Sequence, residues 1–112
     1  MADNPEGIVS IHGKQYQTVA YRIATFREKH PEWCVMTEVV TADDERVVVK
    51  ATIANELQHV IATGYAEEVR GSTNINKTSA LENAETSAVG RALAFFGLAG
   101  TEIASADEVA NA

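Results

Sequence analysis

The stretch WCVMTEVVTADDERVVVKATIANELQHVIATGYAEEV, residues 33–69, decides the fold. From Trp33 to Thr41 polar and apolar side chains alternate, the period-two signature of a strand with one buried face. Thr41-Ala42-Asp43-Asp44-Glu45 reads as a polar turn, and Arg46 to Ile53 follows as a β-branched run with Val47, Val49, Ala51 and Ile53 on one face. Asn55-Glu56 marks a second turn. Beyond it, Gln58 to Val69 sets Val60, Ala62, Gly64 and Ala66 on one side and Ile61, Thr63 and Tyr65 on the other. Connections this short join antiparallel neighbours, because a parallel pair needs a crossover of a dozen residues or more. The stretch therefore predicts a three-stranded antiparallel meander.

Helical patterns flank it on both sides. Upstream, Tyr16, Val19, Ala20, Ile23 and Phe26 form one stripe at helical spacing, predicting a helix over about 15–29 that Pro31 stops. Arg27, Lys29 and His30 fall in its last turn, where positive charge suits the helix dipole. Downstream, Ser79-Ala-Leu-Glu82 matches a capping box. It opens a second helix with a stripe of Leu81, Ala84, Ala88, Ala92 and Phe95, closed by Gly97 and Gly100. Arg70 to Lys77, polar and glycine-containing, is expected to be a mobile loop. Ahead of the first helix lie a polar start, Met1 to Gly7, a short apolar piece, Ile8-Val9-Ser10-Ile11, and a turn at Gly13. The tail from Thr101 is expected to fray. The fold expected is α+β, in the order helix, three-stranded meander, long helix packed on the sheet. It forms a single domain over 1–112 with its core at about 11–100 and an acidic C-terminal tail.

Composition narrows the functional classes. The 112 residues are 46% apolar and 22% charged with two prolines, the make-up of an ordinary globular chain. The longest apolar run, Ala92 to Phe96, falls far short of the roughly 20 residues of a membrane span, and no basic-then-apolar leader is visible, so a cytoplasmic protein is expected. A single cysteine, Cys34, allows no internal disulfide and no cysteine zinc cluster. Nine Lys and Arg against sixteen Asp and Glu give a net charge of −7. Five of those acids, Asp3, Glu6, Glu102, Asp107 and Glu108, lie at the two ends, so residues 11–100 carry nine basic against eleven acidic groups. A generic basic nucleic-acid binder is disfavoured, while a local basic groove remains compatible with the distribution.

Catalytic and metal chemistry find little support. His12, His30 and His59 fall on different elements with no ligand spacing, and no Ser, His and acid arrangement can be nominated. No metal or cofactor is expected. Gly71-Ser-Thr-Asn-Ile-Asn-Lys77-Thr78 approaches a phosphate-binding loop, but Asn76 stands where the second glycine belongs and the preceding strand lies in a meander. What remains is charge placement. Arg46 and Lys50, four apart on one strand, share a face; Arg70 and Lys77 bracket the loop; Arg91 is a cation on the second helix. Binding a single strand needs such cations together with stacking side chains, and Tyr65, Tyr16 and Trp33 are available. Ordinary surface charges paired with Glu neighbours account for the same pattern.

The second helix, Leu81-Glu-Asn-Ala84 through Ala88-Val89-Gly-Arg91-Ala92-Leu93-Ala-Phe-Phe96-Gly97, resembles the signature helix of the single-strand DNA annealing superfamily. That superfamily includes the eukaryotic Rad-type annealing recombinases and the phage Erf and Red-beta proteins. Thr63-Gly64-Tyr65-Ala66 is similar to the Gly-Tyr-Gly that ends the superfamily's last sheet strand. Arg22, Phe26 and Trp33 match, in order, an Arg, a Phe and a Trp leading from first helix to first strand. The likeness covers roughly residues 16–100, and the order of elements is also the superfamily's core.

The resemblance implies single-stranded DNA binding in a groove between sheet and long helix, assembly into homo-oligomeric rings or filaments, and ATP-independent annealing in recombination or repair. It implies Arg91 as a groove residue, while Arg46, Lys50, Arg70, Lys77 and Tyr65 are nominated from charge and aromatic placement. A bacterial or phage-infected cytoplasm, and a replication or recombination protein as further partner, fit that expectation. The alternatives are an acidic protein-interaction module on the same fold and, further off, a nucleotide-acting enzyme using the Lys77 loop.

Overall fold

A computed structural model describes residues 6–73 and 76–110. The expected polar start at 1–5, two residues of the expected loop, Asn74 and Ile75, and the last two residues of the tail lie outside them. The chain runs β1 (Ile8–Ile11), β2 (Lys14–Gln17), α1 (Val19–Lys29), β3 (Cys34–Ala42), β4 (Arg46–Ala54), β5 (Val60–Val69), α2 (Asn76–Phe96) and α3 (Ala106–Ala110). This is an α+β fold in which β3, β4 and β5 form the antiparallel meander and α2 packs across it.

Each strand end has a local cause. Asp43 Oδ1 accepts from the amides of Glu45 and Arg46 at 2.8 and 2.9 Å, so the Asp side chain closes the β3–β4 turn. Asn55 Oδ1 does the same for Leu57 and His59 in the next turn, each at 3.0 Å. The central strand β4 supplies the core: Val47, Val49, Ala51 and Ile53 are each at most 1% exposed. Against them α2 lays Ala80, Ala84, Ala88, Ala92 and Leu93, all buried. Small residues let the helix lie close. A Cβ at Gly64 of β5 would sit 2.5 Å from Ala92 N and 2.7 Å from Ala88 O, so only glycine admits the helix backbone at this crossing. The helix ends as a Schellman motif, with Gly97 N donating to Ala94 O, Leu98 N to Leu93 O, and Gly97 at φ +120°.

Several sequence expectations are corrected. Residues 14–17 are a strand, not the start of a helix: β1 and β2 pair through a His12-Gly13 turn in which both residues have positive φ, the twist a two-residue hairpin requires. Helix α1 therefore begins at Val19, with Thr18 Oγ1 accepting from Tyr21 N, and buries Val19, Arg22 and Phe26; Ala20 is exposed and Tyr16 belongs to β2. In α2, Leu81 and Phe95 are exposed, because the buried side turns onto Ala80 and Leu93. The helix begins at Asn76 and is interrupted at Ser79 (φ −131°, ψ 29°), whose hydroxyl lies 3.4 Å from Thr78 Oγ1. The reciprocal box occurs instead at Ser105 and Glu108: Glu108 N donates to Ser105 Oγ at 3.2 Å and Ser105 N to Glu108 Oε2 at 2.9 Å.

The tail is docked. Arg22, fully buried on α1, donates from Nη1 to Gly90 O (2.8 Å) and from Nη2 to Glu102 O and Ala104 O (each 3.3 Å), stitching α1, α2 and the C-terminal segment together. Burial lowers its pKa, an effect opposed by the charges of Glu108 and Asp107. No helix among the described residues is long and apolar enough to cross a membrane.

Candidate nucleic-acid interface

The molecule measures 40 × 38 × 17 Å, the thickness of one sheet and one helical layer. Helix α2 covers one face of β4 and β5, and among the described residues no helix packs on the opposite face, where Met36, Ile61, Tyr65 and Val69 are exposed. The register sets rows across that face. Glu38 pairs with Lys50, which pairs with Tyr65; one step along, Met36 pairs with Thr52 and Thr52 with Thr63. Strand alternation brings Arg46, four residues before Lys50, to the same face, where its Nη1 lies 3.2 Å from Glu67 Oε2. Tyr65 is 51% exposed.

Lys50 and Tyr65 form the chemically distinct part of this face. The ammonium sits 5.7 Å from the centre of the phenol ring, a cation–π contact between direct cross-strand neighbours. A flat aromatic face that water reaches, beside a cation on a flexible stem, is what stacking of a base and neutralisation of its phosphate require.

The sequence-nominated residues thus divide into three groups. Arg46, Lys50 and Tyr65 share the open face. Arg70 lies beyond the end of β5, where its Nε donates to Asp43 O at 2.7 Å, and Lys77 is exposed in the first turn of α2. Arg91 is on the helical side of the sheet, bound to Glu108 Oε1 from Nε at 3.0 Å and from Nη2 at 2.9 Å. Contact at Gly64 closes the space between sheet and α2, so no groove separates them at this crossing. Trp33 is withdrawn from stacking: His30 lies against it at 4.0 Å between ring centres, and Phe26 and Phe96 meet it edge-on.

The near phosphate loop is occupied structurally. Asn76 is 3% exposed; its Nδ2 donates to Glu68 Oε2 and Ser72 Oγ, and its Oδ1 accepts from Asn83. Around the β3–β4 turn, backbone amides and the neighbouring Arg46 and Arg70 hold the Asp43 carboxyl below the ordinary range. Among the described residues no cluster of His, Cys, Asp and Glu side chains could hold a metal ion.

A model of the family described as Slr1353 N-terminal dsRNA-binding domain-like matches residues 23–96. The chain belongs to that family. The matched span runs from within α1 through the whole meander to the end of α2, so it takes in the open sheet face and the helix beneath it, and leaves out the β1–β2 hairpin and α3. No curated protein and no solved structure matches the chain.

Sequence reasoning missed the row that joins Glu38 to Lys50 and Tyr65. The signal was present in the alternation of the strands, but register across two turns fixes it only once the irregularities between Val39 and Thr41 and between Ile53 and Ala54 are known.

Proposed function

We propose that the protein binds single-stranded nucleic acid across the open face of β3, β4 and β5 and brings complementary strands together without covalent chemistry or nucleotide hydrolysis. The observation that carries this reading is the Lys50–Tyr65 pair on a sheet face that no helix among the described residues covers. A base stacks on Tyr65, displacing the ammonium toward the adjoining phosphate, and Arg46 exchanges Glu67 for a second phosphate. Among the described residues each chain offers one stackable aromatic on this face, Tyr65, so a strand of useful length is held by several copies side by side, which favours a homo-oligomer. The likeness of α2 to the annealing superfamily supports pairing of strands in recombination or repair, in the cytoplasm of a bacterial or phage-infected cell.

The family's description favours a second reading, duplex RNA. Duplex recognition of that type spans about 16 base pairs and relies on phosphate and 2′-hydroxyl contacts. Here the cations nearest the β3–β4 turn and the start of α2, Arg46, Arg70 and Lys77, are interspersed with Asp43, Asp44, Glu45, Glu67 and Glu68, an excess of negative charge that opposes a long phosphate track. The single-strand reading is preferred because the exposed Tyr65 ring offers a stacking face, which unpaired bases use and paired ones do not.

Fluorescence anisotropy of labelled single-stranded and duplex DNA and RNA across a salt series separates the two. Single strands should bind more tightly, with affinity falling as salt rises by a log–log slope of about 0.7 per phosphate contacted. Tighter binding of duplex RNA would replace this reading with the second. Absence of binding at low salt would refute both and leave an acidic protein-interaction module.

A further inference from the structure

Three positive groups from two helices converge on the carboxylates of α3. Arg91 of α2 donates twice to Glu108 Oε1. The first amide of α1, Val19 N, donates to Asp107 Oδ1 at 2.7 Å. The Arg22 guanidinium feels both carboxylates, and its Nε is buried without a partner. Against these three, α3 offers five described residues, too few for a helix to persist on its own. Its hold is the Ser105–Glu108 box, the two carboxylates and the buried Ala106. The Arg91 side chain remains 47% exposed while that of Glu108 is only 12% exposed, so the cation faces solvent past its acidic cover.

We propose that α3 is a displaceable strap whose carboxylates occupy, in the free protein, positions that phosphates of a single-stranded nucleic acid take when the strap lifts. The inference rests on the nucleic-acid reading above but concerns a different surface: Arg91, Arg22 and the start of α1 lie on the helical side, whereas Lys50 and Tyr65 lie on the open sheet face. Removing Asp107 and Glu108 from the balance leaves one exposed guanidinium, Arg91, and the first amide of α1 facing solvent above the buried charge of Arg22, which stays bound to the carbonyls of Gly90, Glu102 and Ala104. An intramolecular carboxylate competes with phosphate for the same donors, so the strap weakens loading and is itself released by it.

Glu108→Gln in the full chain tests this, since Gln retains the capping hydrogen bond to Ser105 while the charge is lost. With a labelled oligothymidylate of about 20 nucleotides, Glu108→Gln should bind roughly fivefold more tightly at low salt, with the salt slope steeper by about 0.7, one further phosphate. Arg91→Ala added to Glu108→Gln should cancel the gain, and Glu56→Gln, which removes the same charge from the exposed β4–β5 turn, should show none. Unchanged affinity and slope in Glu108→Gln, or a gain that survives loss of Arg91, would overturn the strap. Lys50→Ala with Tyr65→Ala reports separately on the sheet face: loss of wild-type binding there, with Glu108→Gln unchanged, would sink the strap alone. No binding by either wild type or Glu108→Gln would sink both.

Discussion

Gly64→Ala is the most informative single substitution for the fold that presents the interface. In a strand with nothing above it, adding this methyl would stabilise the protein by about 0.4–1 kcal/mol, because alanine loses less backbone entropy on folding than glycine. Here the new Cβ meets Ala92 N at 2.5 Å, Ala88 O at 2.7 Å and Arg91 C at 3.0 Å. All three are backbone atoms of α2, so no side-chain rotation relieves the contact, and the helix must retreat by about 1 Å to restore ordinary van der Waals distance. That retreat loosens the alanine seam against Val49, Ala51 and Ile53. Overpacking of this kind costs about 1–3 kcal/mol. For a domain of this size the loss corresponds to a fall in Tm of roughly 4–12 °C. Urea unfolding followed by circular dichroism reads it as a lower midpoint at unchanged m-value. Thr63→Ala, on the other face of the same strand, should move stability by no more than about 0.5 kcal/mol. A Gly64→Ala protein as stable as wild type, or more so, would refute the close crossing.

Other expectations follow from the buried and polar anchors. Arg22→Leu should cost about 2–4 kcal/mol in denaturant unfolding, since Glu102 O and Ala104 O lose their buried donor and the C-terminal segment its tie to α1. Oligonucleotide binding should quench tyrosine and leave tryptophan emission unchanged, because Trp33 is packed among His30, Phe26 and Phe96 while Tyr65 is open; tryptophan quenching would contradict that packing. The Asp43 carboxyl has a folded-state pKa below its unfolded value, so it contributes stability that is present above the ordinary carboxylate range and lost as pH falls through the folded pKa. Asp43→Asn, which keeps the turn acceptor, should flatten that part of the stability profile below about pH 4, as an acid titration would show.

The meander was legible because period-two alternation and two Asx-type turns state it locally: Val47, Val49, Ala51 and Ile53 are the buried set the pattern names. The end of α2 was legible because Gly97 is a helix stop with a backbone cause. The β1–β2 hairpin was not, since four-residue strands give no reliable period and Tyr16 happens to continue the α1 stripe. Three segments match the capping-box pattern, Thr25 to Glu28, Ser79 to Glu82 and Ser105 to Glu108, and only the true helix start chooses among them. Arg22 illustrates the deeper limit. Its partners are the carbonyls of Gly90, Glu102 and Ala104, which carry no side-chain identity, so nothing in the sequence announces a buried arginine or the docked tail that it holds. Of the candidate site, residue types were readable; their grouping was not, because Arg46, Lys50 and Tyr65 meet through strand register while Arg91 is carried to the other layer.

The central claim is that nucleic acid lies on the open sheet face, and amide chemical-shift mapping by NMR during titration with a short oligothymidylate tests it most directly. The largest shifts should fall along the Glu38–Lys50–Tyr65 and Met36–Thr52–Thr63 rows and be lost in Lys50→Ala with Tyr65→Ala. Shifts confined to α1 and the start of α2, with these rows unmoved, would contradict it.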